Sequence, residues 1–512
     1  MGPVRDRTTA YLALAGLLTG IAGVVTSEAM VWAARATNSP VVAVASAVRD
    51  FTPGWLAHWL IDLVGHWDKP LLIAGTVVIL VAICAGVGLL SRRHPLLPDL
   101  VFFVLAIIGL LSVIRLEDSG IASGLAVIVG LVTWIVSLRF LTAPLLAEQA
   151  PPPDGESPTA SRRAFLIRSG GVAAVVLVAG AVGRFASGSR RRVEQARDLL
   201  RLDMVHRGAV PDGANLEVRG IEKWRTPNDR FYLIHTAFAP PSILPSDWTL
   251  RIHGMVDREL TLTYQDLIGR ELSEAWVTLC CVSNKVGGDL IGNAFWSGVL
   301  VRDVLAEAGV QAGADAVLQT SHDGWTCGTP LAALTDDRNA MLAVGMNGDP
   351  LPVDHGFPVR MVVPGLYGYV SATKWLVDLE VSRFDEFDAY WTQRGWAEEG
   401  PVKTQSRIDV PRNGSDVEAG SVRVGGSAWA QHTGIERVEF QVDGGAWQRA
   451  ELGAVPNVDT WVQWTGSVDV EPGDHTVVVR ATDTSGYTQT SVRTDVVPDG
   501  ATGWHEVSFK AV

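Results

Sequence analysis

Trp276-Val277-Thr278-Leu279-Cys280-Cys281-Val282-Ser283-Asn284-Lys285-Val286-Gly287-Gly288 is an apolar run that passes through two adjacent cysteines into a polar, glycine-rich turn. Adjacent cysteines rarely bridge each other, because the ring they would close is strained. A buried free cysteine is most often just a small apolar side chain. Here the pair leads into Ser283, Asn284 and two glycines, which suit a loop where backbone approaches a ligand. A thiolate at such a place can ligate a soft metal. The chain holds four cysteines in 512 residues. It has no CxxC pair and no second Cys/His cluster at ligand spacing. Neither a zinc site nor a disulfide framework is expected.

A second cluster lies downstream, from Met346 to Trp375. It places His355, Arg360 and Lys374 among the glycine-rich turns around Asn347-Gly348, His355-Gly356 and Pro364-Gly365. Cationic donors beside exposed backbone amides make a site for a phosphate or another anion. A basic surface loop would give the same bare pattern.

Outward from these clusters the composition divides the chain. The hydrophobic fraction is 47%, the charged fraction 19% and the mean hydropathy +0.20, against about 25% charged in ordinary soluble proteins. The net charge of −13 argues against a nucleic-acid partner. Residues 1–200 carry 17 basic and 13 acidic side chains, and the remainder 25 and 42. This unequal balance points to a membrane for the first part and water for the second.

Five apolar stretches approach the roughly 20 residues a bilayer requires: Tyr11–Ala33, Leu71–Leu90, Leu100–Val113, Ile121–Leu141 and Phe165–Val182. Val41–Val64 contains Arg49, Asp50, Asp62 and a Pro-Gly turn, and is expected to be an external loop on the membrane surface. Arg5 and Arg7, Arg92 and Arg93, and Arg162 and Arg163 fall on one side of a five-span arrangement, which should be the cytoplasm. Everything after about residue 185 is then extracytoplasmic, although Arg190–Arg192 break the rule. Ser161-Arg162-Arg163-Ala164-Phe165-Leu166 matches the twin-arginine export pattern, and Ala150–Ser161 reads as a flexible tether. His58, His66 and His94 lie in expected loops and no span contains a histidine. The expected role of this part is therefore anchoring or partner docking, not electron conduction. Glu28, at a span terminus, is expected to reach the interface.

The water-facing part is of two kinds. Trp248–Gly254 alternates like a strand, Leu300–Ala308 like an amphipathic helix, and Pro358–Pro364 reads as a buried strand. From Pro401 onward, short alternating strands at Val422–Val424, Arg437–Val442, Ser467–Val470 and His475–Asp483 are separated by Gly-rich turns. These suggest an immunoglobulin-like β-sandwich lacking the usual disulfide. The expected fold class is an N-terminal all-α transmembrane bundle, an α+β catalytic domain and that sandwich. The expected domains are a four-span membrane domain over 1–145, a cytoplasmic linker with the twin-arginine motif over 146–163, a fifth transmembrane helix over 164–186, a catalytic domain over 197–388 and the sandwich over 400–512.

The two clusters together resemble the sulfite oxidase family of molybdopterin oxidoreductases. Its Thr-Leu-x-Cys-x-x-Asn motif is matched by Thr278, Leu279, Cys281 and Asn284. Trp296–Leu305 matches the helix that follows, and Met346–Trp375 the second signature. The resemblance runs from about residue 215 to the end, including the sandwich that family members use for dimerisation. Nothing in the first 150 residues belongs to the family's catalytic core. The resemblance implies molybdenum–molybdopterin as cofactor, with Cys281, not Cys280, as the thiolate on molybdenum. It implies that His355, Arg360, Ala372, Thr373 and Lys374 hold the pterin and its phosphate. Tyr232, His235, Ser283, Asn284, Ser321 and Asp323 would be further cofactor contacts.

Two positions depart from the family pattern. Leu233 stands where sulfite oxidases carry an arginine. Trp325 stands where they carry an active-site tyrosine, and is the expected substrate-side catalytic residue. Losing a cation and a hydroxyl weakens the case for sulfite and for plant-type nitrate reduction. It suits a larger or less charged, sulfur-containing substrate, as in a periplasmic methionine-sulfoxide reductase. Sulfite oxidation proper is the alternative enzyme reading. A catalytically inactive membrane-anchored scaffold or binding protein is the alternative from another class, which the retained Cys281, His355, Arg360 and Lys374 disfavour. No cytochrome domain, iron–sulfur cysteine set or dinucleotide fingerprint is visible. An external redox partner, a cytochrome or a membrane redox protein, is therefore expected, along with membrane lipid, a small-molecule substrate and homodimerisation.

Overall fold

The computed structural model describes residues 3–34, 39–52, 68–115, 121–147, 158–186, 189–202, 205–237 and 240–512. They form two compact units, Met1–Arg191 and Arg192–Val512.

The first unit is helical: Pro3–Ala33, Pro40–Phe51, Asp68–Leu90, Leu97–Ile114, Ile121–Ala147 and Pro158–Ala186. Five of these helices are long and apolar enough to cross a membrane, and they coincide with the five stretches expected from sequence. Glycine lets two of them cross closely. A Cβ at Gly16 would lie 2.1 Å from the carbonyl oxygen of Cys84, and one at Gly88 2.2 Å from that of Leu12. Small residues at helix crossings allow this approach.

Two expectations need correction here. Pro40–Phe51 is a helix, not a loop. The Ser39 hydroxyl caps it by accepting from the amides of Val41 and Val42, and Arg49 pairs with Asp50 at 3.0 Å. The charges that argued against a helix neutralise each other. The rest of that stretch, with His58 and His66, lies outside the described residues. The last long helix begins at Pro158, so Arg162 and Arg163 already stand within it. Residues 148–157 of the expected linker lie outside the described residues.

The second unit opens in the Ser189–Leu199 helix. Val193 is buried there in a core with Phe231 and Trp296, and Arg197 donates to the carbonyls of Leu351 and Pro350. Two sheets follow, built from β1 (Thr249–Gly254), β2 (Leu260–Thr263), β3 (Ser273–Cys280), β4 (Ile291–Leu300), β5 (Ala316–Ser321), β6 (Thr326–Pro330), β7 (Met341–Met346), β8 (Asp349–Pro350), β9 (Arg360–Val362) and β10 (Leu376–Ser382). One sheet has the order β2-β1-β10-β5-β6. The other runs β3-β4-β7-β8, with β9 also on β7. The Val301–Ala308 helix follows β4 and ends on Gly309 at φ 73°, a left-handed cap that glycine adopts without strain.

Residues 405–511 form two more sheets. β11 (Gln405–Val410), β12 (Ser415–Val417), β13 (Gly420–Trp429), β14 (Ile435–Val442), β15 (Gln448–Arg449), β16 (Glu451–Leu452), β17 (Val462–Val470), β18 (Gly473–Asp483) and β19 (His505–Ala511) make them up. Their orders are β11-β13-β17-β16 and β12-β19-β18-β14-β15. Val424, Trp464, Phe440 and Val479 from the two sheets share one core. The region is not isolated from the rest of its unit. Trp429, Trp461, Val496 and Ala501 belong to the main core with Trp224, Trp276 and Cys280. Trp224 and Trp461 exchange indole N–H bonds to each other's carbonyls at 3.1 and 2.8 Å.

Candidate active site

β3 delivers the cysteine pair. All of its last six residues are buried, because one face meets the main core and the other the core around Trp296. Cys280 pairs with Ile291 of β4, so the 281–290 loop joins a hairpin. The loop is held by its own polar groups. The amide of Cys281 donates to the Leu290 carbonyl, that of Asn284 to the Cys281 carbonyl, and that of Leu290 to Asn284 Oδ1. Gly288 is required: a Cβ there would sit 2.5 Å from Asn284 Oδ1.

Cys281 opens into a cavity that is connected to solvent. Tyr232, His235, Cys281, Ser283, Ser321, Asp323, Trp325, Arg360, Ala372 and Lys374 all line it. Segments far apart in sequence thus meet at one place. Three sequence candidates stand behind the wall. Asn284 braces the loop. Thr373 is fully buried and bonds Cys327 through its hydroxyl at 3.2 Å. His355 is buried against Phe231, its Nε2–H donating to the carbonyl of Asn228. Leu233, 45% exposed, is not in the wall.

Sequence reasoning missed the aromatic side of the cavity, formed by Tyr369, Trp375, Trp391 and Trp396. Tyr369 and Trp396 have ring centroids 5.7 Å apart, and Trp391 and Trp396 6.1 Å. The Tyr369 hydroxyl donates to the carbonyl of Ala397. The cluster Tyr390-Trp391…Trp396 was the available signal.

The electrostatics favour an anion. Arg360 is 3% exposed. Among the described residues it donates to the carbonyls of Met361 and His355 and lies over the Trp296 ring, with no carboxylate partner. Burial lowers its pKa to about 10. Lys374 lies beside it on the cavity wall and donates to the Ile234 carbonyl at 3.1 Å. The hydroxyl of Ser321 is buried in the wall without a partner, and so is Nδ1 of His355 behind it. Burial, then the cations Lys374 and Arg360, push His355 down to about 3. Burial raises the Cys281 thiol, against hydrogen bonds to Ser283 and the charge of Lys374. Burial, with the cysteines nearby, keeps the Tyr232 phenol protonated.

Buried polar groups in native proteins are bonded, and a buried cation without a counter-ion is costly. A thiol, a lone guanidinium, a lysine and an orphan hydroxyl around one cavity therefore fit a metal-bearing, anionic organic group.

Residues 237–391 match the family described as "Oxidoreductase molybdopterin binding domain". The sulfite oxidase of Gallus gallus is 32% identical over 313 residues, 52% of this chain and 68% of that protein. The chain spans about half the length of the mammalian mitochondrial sulfite oxidases it matches. An uncharacterized oxidoreductase, YuiH of Bacillus subtilis, is 32% identical over 169 residues, 32% of this chain and 80% of that protein. The crystal structure of the sulfane dehydrogenase SoxCD from Paracoccus pantotrophus covers 56% of this chain and 82% of its own, at 23% identity and a TM-score of 0.47.

Proposed function

The chain belongs to the sulfite oxidase family of molybdopterin oxidoreductases, and from that membership we propose a membrane-anchored enzyme that performs two-electron oxygen-atom transfer on a small, weakly charged sulfur compound at an extracytoplasmic site. Its cofactor is molybdenum–molybdopterin. When bound, this group supplies the redox change and the oxygen exchange with water.

The chain's own residues divide the remaining work. The thiolate of Cys281 holds the metal. Arg360 and Lys374 hold the cofactor's phosphate, and Ser321 Oγ supplies a further hydrogen bond. Tyr232, His235, Ser283, Asp323 and Ala372 shape the wall, while Asn284, His355 and Thr373 fix it from behind. Tyr232 stays protonated and acts as a hydrogen-bond donor, not a base. Trp325, Tyr369, Trp391 and Trp396 exclude water and face the substrate.

One observation carries the substrate class. Among the described residues, the Arg and Lys side chains in the wall are Arg360 and Lys374, both assigned to the phosphate, and the rest of the wall is rich in aromatic rings. A sulfite dianion would gain little there, whereas a neutral sulfoxide is suited to an apolar, aromatic wall. Sulfite oxidation is the second reading, favoured by the relative from Gallus gallus, which bears that name. The test is steady-state turnover of the cofactor-loaded chain, with sulfite and an electron acceptor, and with a dialkyl sulfoxide and a reduced viologen. A higher kcat/KM for the sulfoxide is expected; a higher value for sulfite overturns the substrate assignment.

The anchoring reading rests on the five apolar helices and on the paired arginines of one flank. Thiol labelling of a cysteine introduced near residue 416, in intact cells, tests the outward orientation. An external cytochrome or membrane redox protein exchanges the electrons. The C-terminal sheets act as an immunoglobulin-like, homodimer-forming module.

A further inference from the structure

We propose that the C-terminal sheets are also a working part of the active centre: they hold the loop that carries Cys281, with Arg407 as the positioning residue. This rests on Cys281 as the metal ligand. It goes beyond docking or dimerisation, for which none of the contacts below is needed.

β3 is the edge strand of its sheet, so its outer backbone groups need partners from elsewhere. The C-terminal region provides them. The amide of Thr278 donates to the Asp459 carbonyl at 2.9 Å. Gln431 Nε2 donates to the Thr278 carbonyl and Asn457 Nδ2 to that of Trp276. The Thr278 hydroxyl accepts from the amide of Trp461 at 2.8 Å and donates to Asn293 of β4.

The loop beyond β3 is held by the same region. Arg407 Nη1 donates to the Gly288 carbonyl at 3.0 Å. Its Nε is held by Asp409 Oδ1 at 2.8 Å, and its head lies over the Trp461 ring. This arginine is 7% exposed, which is rare for a side chain that only decorates a surface. The ring of His505 fills the space over Gly287, where a Cβ would stand 2.2 Å from Nε2. The Ile408 amide donates to Nδ1 of that ring and fixes it in place. Gly288 N bonds the Lys285 carbonyl, Leu290 N bonds Asn284 Oδ1 and Asn284 N bonds the Cys281 carbonyl, so a pull on Gly288 reaches Cys281 through three hydrogen bonds. A ligand shell works only when its support is rigid.

The test compares the full-length protein with Arg407→Met, Arg407→Lys and Asp409→Ala, each prepared with and without cofactor. In the cofactor-free form, alkylation of Cys281 is followed by mass mapping, with the melting midpoint measured alongside. Arg407→Met should label about tenfold faster, the change expected when one charged hydrogen bond guarding a local opening is lost. Arg407→Lys should restore part of the difference. In the loaded form, Arg407→Met should alter the electron paramagnetic resonance signal of the bound molybdenum and lower its occupancy. Asp409→Ala leaves the arginine in place but unheld. It should shift labelling in the same direction, and so serves if Arg407→Met does not fold. Wild-type labelling in folded Arg407→Met, or in Asp409→Ala, overturns the proposal. Labelling needs neither substrate nor metal. A protein that takes up no molybdenum would refute the functional reading and leave this result standing.

Discussion

Arg360 donates from Nη1 to the main-chain carbonyl of His355 across 3.2 Å. The buried cation of the site is therefore tied to the residue whose ring keeps an unpartnered nitrogen. Burial works against a charge on either group. Without its ligand, this corner of the protein is built against its own stability.

Replacing Arg360 by methionine should therefore separate binding from folding. A buried unpaired charge is destabilising, and an apolar side chain of similar volume removes that cost. Cofactor-free Arg360→Met should melt about 2–4 °C above the wild type, while its molybdenum content falls below about a tenth. Calorimetry and metal analysis of the same preparation check both. A lower midpoint together with full molybdenum content would show that the guanidinium is structural.

His355 gives a pH signature. Its folded pKa of about 3 lies below the ordinary value near 6.5. The unfolded chain therefore takes up the proton first as the pH falls. The contribution of the neutral ring is complete above pH 6.5 and is lost on descending toward 3. Between pH 6 and 4, cofactor-free wild type should lose up to about 1.4 kcal/mol per pH unit more than His355→Gln. Parallel denaturation curves for the two across that range would contradict the buried neutral imidazole.

The residues explain why some of this was legible in the sequence. The five apolar helices follow from the length of their apolar runs and the strands at Val422, Arg437, Ser467 and His475 from alternation, neither of which needs a tertiary partner. Cys281, Arg360 and Lys374 could be picked out by chemical type. The helix at Pro40–Phe51 was missed because Arg49 and Asp50 were counted as exposed charges, when each cancels the other. Trp391 and Trp396 were missed because only the three-dimensional fold carries them to Cys281. Likewise, the position of Leu233 in the motif does not reveal that it sits outside the wall.

The cysteine pair should behave asymmetrically. Cys281 lines the cavity and Cys280 does not. Cys281→Ser should lower turnover by at least about a thousandfold with the fold retained. Cys280→Ser places a hydroxyl in the main core, costing about 1–3 kcal/mol of stability, with turnover within about threefold of wild type. Turnover and denaturant midpoints for both variants decide this. Equal loss of activity in the two would remove the assignment of Cys281 as the ligand.

Substrate choice should follow Trp325 and ignore Leu233. Trp325 lines the cavity; its amide bonds Asp323 Oδ1 and its carbonyl accepts from the amide of Ser321. The backbone of Trp325 is therefore fixed beside two other wall residues. Trp325→Tyr shortens that ring and adds a hydroxyl able to bond an anionic oxygen. The ratio of kcat/KM for sulfite over sulfoxide should rise about tenfold or more, the scale at which a site discriminates by one hydrogen bond. Leu233→Arg adds a cation outside the wall, where solvent screens it, and should move the ratio by less than about twofold. The reverse order, with Leu233→Arg dominant, would mean that the substrate approaches from the Leu233 side and that the aromatic wall does not choose it.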